Sequence, residues 1–163
     1  MVKTPAGRMK MVAALQTRHV FSLSIAVGTP IEAGDLGFGA RRVIPILGGE
    51  LTGPEVTGRI CEGGADYQII RPNGFTELEA KYAVELDDGA IVYIENIGIR
   101  FGPPEALARI RRGEPVDPAL IYFRSRPRFE TGAPKWRWLT EYLFVGVGTR
   151  KPDRVELDVH QVL

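Results

Sequence analysis

Eight residues have the types from which a small-molecule site is built. Asp66, Tyr82 and Glu130 can move protons; Arg42, Asn96, Tyr122, Arg124 and Trp138 can hold a ligand. A carboxylate shielded from water serves as general acid or base, and a phenol can act as its acid partner. An arginine can clamp a carboxylate with two parallel hydrogen bonds. The set points to cofactor-free chemistry on a small organic carbonyl or carboxylate compound, of isomerase, cyclase, lyase or hydrolase type.

Each of these residues also has a structural reading. Asp66 follows Gly63-Gly64 and can cap its own turn. Arg42 and Arg124 can pair with Asp66 or Glu130 as structural ion pairs. Tyr82 lies in phase with apolar neighbours and suits a core. Trp138 can wall a pocket or act as a packing lid or interface anchor.

Other constellations are weak. His19 and His160 lie near opposite ends of the chain, neighbours only if the first and last strands meet, and neither has a cysteine or acidic partner at metal-ligand spacing. Cys61, the single cysteine, reads as a small core residue, and its solitude fits a reducing cytoplasm. The glycine pairs match neither the phosphate-binding loop nor the dinucleotide fingerprint, so no cofactor is expected. Arg109 to Arg128 is rich in arginine, but 21 basic residues face 20 acidic ones, which gives no drive toward nucleic acid or an anionic membrane. No apolar run has the length of a membrane span.

The elements that would position these residues are mostly strands. Glycine and proline, 19 and 12, are spread along the 163 residues as turn signals rather than gathered into a linker. Residues 1–16 read as a flexible or oligomer-contacting lead-in, and residues 17–163 as a single domain. Phe21, Leu23, Ile25 and Val27 alternate as in a half-buried strand. Residues 31–39 read as a loop, 41–47 as a strand bent by Pro45, and Gly48-Gly49 as a turn into a bent strand over 50–61. From 66 to 101 three strands form a meander, turned by Asn73-Gly74, expected as a type I′ hairpin, and by Asp88-Gly89. The second carries Leu78, Ala80, Tyr82, Val84 and Leu86 on one face; the third, apolar on both faces, is expected to be covered on both sides. One helix is expected over 102–113, with Pro104 in its first turn, plugging or covering one end of a sheet. Strands follow at 120–125, 143–149 and 154–162. Pro127 is expected to interrupt the chain, residues 134–142 to form a loop or short helical turn, and Gly146 and Gly148 to leave room beneath one face. The pattern gives an all-β protein: an antiparallel β-barrel of nine or ten strands with one short helix.

Several motifs in order resemble a bacterial and fungal family catalogued as a domain of unknown function, number 3237, known also as an uncharacterised protein family. They are Arg42 with Gly48-Gly49 and Gly53, Gly63 to Tyr67, Ala80 and Tyr82, Asp87 to Ala90, Tyr122 to Arg124, Phe129 to Thr131, Trp138-Leu139 and Phe144 to Gly148. The resemblance implies a β-barrel of about this length, often self-associated, so a homo-oligomer is expected. It implies no general activity. Three functions stay open: an enzyme using the barrel interior, a barrel that binds a small ligand without changing it, and a structural oligomer with a filled barrel.

Overall fold

A computed structural model describes residues 13–163. The proposed lead-in falls largely outside them. Ten strands and one well-formed helix follow in the order β1 (Thr17–Val27), β2 (Ile31–Asp35), β3 (Ala40–Thr52), β4 (Thr57–Ile60), β5 (Ala65–Ile70), β6 (Thr76–Leu86), β7 (Ile91–Phe101), α1 (Pro104–Arg111), β8 (Tyr122–Glu130), a single helical turn α2 (Trp138–Glu141), β9 (Phe144–Arg150) and β10 (Arg154–Val162). Every pairing is antiparallel. Eight strands close a barrel, β1-β10-β9-β8-β7-β6-β5-β3, and β3 returns to β1. β2 and β4 are the extra strands, on β3 and between β3 and β6. The fold is therefore the all-β antiparallel barrel that the alternation predicts.

One strand serves four partners. The first half of β3 pairs with β2 and β5, while its second half pairs with β1 and β4. Gly48 and Gly49, at φ of 133° and 134°, bend it between the two. The expected turn is thus a bulge within a continuous strand, marked by a register shift opposite Ala26 and Val27. A side chain on Gly49 would collide with the Ser24 carbonyl oxygen.

The meander stands with its turns changed. Arg71 and Phe75, and likewise Leu86 and Ala90, bracket three-residue loops in which Gly74 and Gly89 take positive φ while Asn73 and Asp88 do not. These are type I turns followed by a left-handed glycine, not the expected type I′. The expected loop at residues 31–39 contains strand β2. β8 runs straight through Pro127, because β9 pairs with β8 only at Arg124 and Ser125 and asks nothing of the proline's missing N–H.

The inner face divides along its length. Phe21, Leu23, Val84, Leu86, Ile94, Phe129, Phe144, Leu157 and Val159 fill one end, closed by Trp136 and Leu139. Trp136 Nε1 donates to Asp88 Oδ2 at 2.8 Å, tying this closure to the β6–β7 hairpin. At the other end lie Arg42, Gln68, Thr76 and Arg100, all buried. Helix α1 buries Ala106, Leu107 and Ile110 beside this polar end, as a cover rather than a deep plug. Room expected beneath Gly146 and Gly148 is taken by the Phe123 ring, Leu157 and Ser125, which a Cβ at either glycine would strike. β7 is covered on one side only: Ile91, Ile97, Ile99 and Phe101 are exposed on the outer wall, because a closed barrel buries one face per strand.

Gly49→Ala should destabilise the barrel by about 2 kcal/mol or more, since both the positive φ and the Ser24 carbonyl oppose a side chain. Urea titration measures this; a midpoint unchanged from the wild type would show that β3 can bend by another route.

Candidate functional site

Between the apolar end and the helix-covered end lies a cavity of about 40 Å³. That is room for one or two waters or a small group, not for a large ligand without side-chain movement. Two small inner-face residues stand there: Ala80 on β6 and Gly98 on β7. The remaining wall is largely aliphatic, from Ile25, Ile44, Ile46, Leu78 and Leu157.

Strand register brings polar side chains from distant parts of the chain to this space. Ile44, Asp66, Ala80 and Asn96 are direct cross-strand partners in sequence, on β3, β5, β6 and β7. Asp66 and Asn96 therefore flank Ala80. Tyr82 stands one inward position along β6. Ser125 on β8 pairs with Gly98, and Arg150 on β9 completes the polar lining. Gly64 lets the start of β5 lie against β6; a Cβ there would come within 2.5 Å of Tyr82 Cβ.

The hydrogen bonding is incomplete. Gln68 Nε2 donates to Asp66 Oδ2 at 2.7 Å, but Asp66 Oδ1 is buried without a partner. Tyr82 OH, Asn96 Oδ1 and Ser125 Oγ are buried and unpartnered as well. Each such atom costs about 1–3 kcal/mol when dry, so four on one cavity mark a place where a ligand or water would bond.

Electrostatics differentiate these groups. Burial raises the Asp66 carboxyl above its ordinary value, opposed by the Gln68 hydrogen bond and by the charges of Arg100 and Arg150. Burial, and then the Asp66 charge, push the Tyr82 phenol well above its usual range, so it is a neutral hydrogen-bond donor. Arg100 is pushed down to about 10 by burial and remains a cation at neutral pH. Arg42 and Arg150 are lowered by burial too. Arg42 Nε lies 3.6 Å from Glu32 Oε1, and Arg150 Nη1 donates to the carbonyl of Lys151 at 2.7 Å.

Asp66, Tyr82 and Asn96 thus share one cavity, with Arg42 buried one rung further along β3. The other residues singled out from the sequence lie elsewhere. Glu130 is exposed and 3.0 Å from Arg128. Tyr122 and Arg124 do share a face, but it is the outer one, where Tyr122 stacks on Phe101 and the Arg124 guanidinium sits 5.0 Å from the Tyr122 ring centre. Trp138 packs near Phe144 at the apolar end, beside a groove that includes His19. His19 and His160 are direct partners across β1 and β10, with ring centres 5.4 Å apart. Among the described residues, no group of three or more metal-ligating side chains forms.

Sequence reasoning missed Ser125, Gln68, Arg100 and Arg150. Strand phase carried a signal for two of them: Arg100 follows Asn96 by four residues, and Ser125 alternates with Tyr122 and Arg124.

Asp66→Asn tests the buried carboxyl. A raised folded-state pKa means that the native state holds the proton more tightly than the unfolded chain. Wild-type stability should therefore fall as pH climbs from 3.8, the ordinary aspartate value, through the folded value. Relative to the wild type, Asp66→Asn should gain stability across that window and level off above it. Thermal unfolding of both proteins from pH 3.5 to 8.5 measures the difference; a pH-independent offset would exclude a raised pKa.

Comparison with known proteins agrees with the geometry. The family model described as "Protein of unknown function (DUF3237)" matches residues 15–162. A UPF0311 protein of Rhodopseudomonas palustris is 59% identical over 153 residues, covering 94% of this chain and all of that protein. The crystal structure of a Rhodopseudomonas palustris protein of unknown function superposes with a TM-score of 0.91 at 58% identity, covering 93% of this chain and 100% of that one. A β-barrel-like protein of Acinetobacter baumannii gives 0.82 at 33% identity, with coverage of 95% and 100%. A Penicillium herquei protein described as an enzyme shares the fold at a TM-score of 0.71 and 16% identity, with coverage of 94% and 98%. At that identity the likeness is one of fold. On the match of nearly its whole length, the chain belongs to the DUF3237 family of uncharacterised β-barrel proteins.

Proposed function

We propose that the barrel is a cofactor-free enzyme that moves a proton on a small organic carbonyl compound held in the cavity. One observation carries this reading: Asp66 Oδ1, Tyr82 OH, Asn96 Oδ1 and Ser125 Oγ are four buried, unpartnered polar atoms on a single cavity wall. Asp66 is the proton acceptor and donor, with its affinity for the proton raised by burial. Tyr82, neutral and without a partner, donates a hydrogen bond to the carbonyl oxygen as negative charge gathers on it. Asn96 and Ser125 orient the substrate. This machinery serves isomerisation, ring closure and elimination alike.

The test begins with native mass spectrometry of the protein after exposure to a panel of small ketones and hydroxy-ketones. For a compound turned over, Asp66→Asn should keep binding and lose about 10²–10⁴-fold in kcat. Tyr82→Phe should lose kcat more than it raises KM. Binding without turnover in the wild type would overturn the enzyme reading and make the barrel a carrier.

We also propose self-association through the outer wall of β7. Ile97, Ile99 and Phe101 form an exposed apolar row. Glu77 and Glu79 flank it on β6, and Arg124 and Arg126 flank it on β8, at matching register. A two-fold axis running along β7 lays the acidic row of one copy over the basic row of the next and buries the apolar row between them. The wild type should run as a dimer in light scattering after gel filtration, and Ile99→Glu as a monomer. A wild type that is monomeric at about 100 μM would sink the idea, since stable interfaces of standard size hold well below that concentration.

A further inference from the structure

Arg100 is the most anomalous charge in the described structure. It is 4% exposed, and its Nε and Nη1 are buried without a hydrogen-bond partner. Among the described residues, no carboxylate lies within salt-bridge distance of it. The nearest compensation is the charge of Asp66, and the charges of Arg150 and Arg42 work against it. An unpaired buried guanidinium is costly, and residues of this kind are kept where an anion completes them.

The space beside it fits that role. A pocket of about 420 Å³ opens between α1 and the β5–β6 hairpin, lined by Ile70, Arg71, Thr76, Arg100, Leu107 and Arg111. Arg71 is already matched with Glu77 at 2.9 Å. Arg111 stands on the helix at the rim. Ile70 and Leu107 supply apolar walls, and Thr76 Oγ1 is engaged with the Gly74 carbonyl. One unmatched buried positive charge, an apolar wall and an open mouth together describe a receptor for a monoanion with a short hydrocarbon part.

We propose that the pocket beneath α1 binds a small organic carboxylate, with the Arg100 guanidinium as its anchor. The guanidinium carbon also lies 5.8 Å from the centre of the Phe123 ring, and Phe123 lines the barrel cavity. Gly98, two residues earlier on the inward face of β7, lines it as well. The carboxylate therefore sits about 7 Å along the strand from the cavity, one inward repeat away. This site stands whether or not Asp66 moves protons.

The test uses the full chain in chloride buffer of constant ionic strength, titrated with sodium acetate, butyrate, benzoate and phosphate. Binding is read by thermal shift and isothermal calorimetry. Butyrate and benzoate should bind saturably and more tightly than acetate, by about fourfold for each buried methylene. Arg100→Met should lose this response at least tenfold while melting no lower than the wild type in chloride alone, because it removes an unpaired buried charge. Asp66→Asn should keep the response, so failure of the proton-transfer reading and failure of this one are separable. A response retained in Arg100→Met, no saturable carboxylate response in the wild type, or phosphate binding tighter than every carboxylate would each overturn the proposal. If Arg100→Met fails to fold, Arg100→Lys serves: retained anion binding with weaker affinity supports the anchor, and unchanged affinity overturns it.

Discussion

An eight-stranded barrel has an interior just wide enough for its own side chains, and that constraint governs the rest of this molecule. Any inward polar group must be satisfied by another inward group, since water is largely excluded. One end solves the problem with almost entirely apolar side chains, and its buried Gln161 accepts a hydrogen bond from Arg18. The aliphatic and aromatic cluster from Phe21 to Val159 fills it, and Trp136 closes it with its one N–H spent on Asp88. The other end leaves the problem partly unsolved. Its arginines outnumber its acid, and the small residues Ala80 and Gly98 withhold the atoms that would have filled the gap.

That asymmetry links stability to function. The apolar half supplies burial at roughly 25 cal/mol per Å² of apolar surface removed from water. The polar half draws on it, holding Asp66, Tyr82 and Arg100 in states that water would not favour. Strained polar groups of this kind persist where surrounding structure holds them in place, and strand pairing on both sides does so here. The proposed acid–base role rests on this: neither the raised aspartate nor the neutral phenol can relax into solvent.

Much of this was legible in the chain. Alternation in β6 placed Tyr82, Ala80 and Leu78 on one inner face, and the glycine-bearing turns fixed the neighbours of that face. Tyr82 and Asn96 followed from strand phase, and Asp66 from its place after Gly63-Gly64. The side of β8 did not. Tyr122 and Arg124 alternate with Phe123 and Ser125, and either set is chemically plausible inside, so a one-residue choice of phase exchanged the outer wall for the cavity. β7 hid its outer face for the opposite reason: isoleucines on both sides left no polar stripe to show which looked outward. Gly48-Gly49 looked like a turn because sequence shows the freedom of a glycine but not whether the ladder continues past it. Arg150 lies at the end of its strand, where no local pattern signals that the barrel will curl it inward.

The pairing of β1 with β10 carries a consequence for how the protein comes into being. The seam joins residues more than a hundred positions apart, and Leu163 N still donates to the Gln16 carbonyl at its edge. Such distant partners make closure slow relative to the local hairpins β6–β7 and β5–β6. Until β10 has been made, Val155 and Leu157 are missing from the cavity wall and the first strand lacks one of its two neighbours. During synthesis the barrel therefore cannot close, and the burial that raises Asp66 is not complete, until β10 is in place. The last strand made is thus the one that seals the cavity.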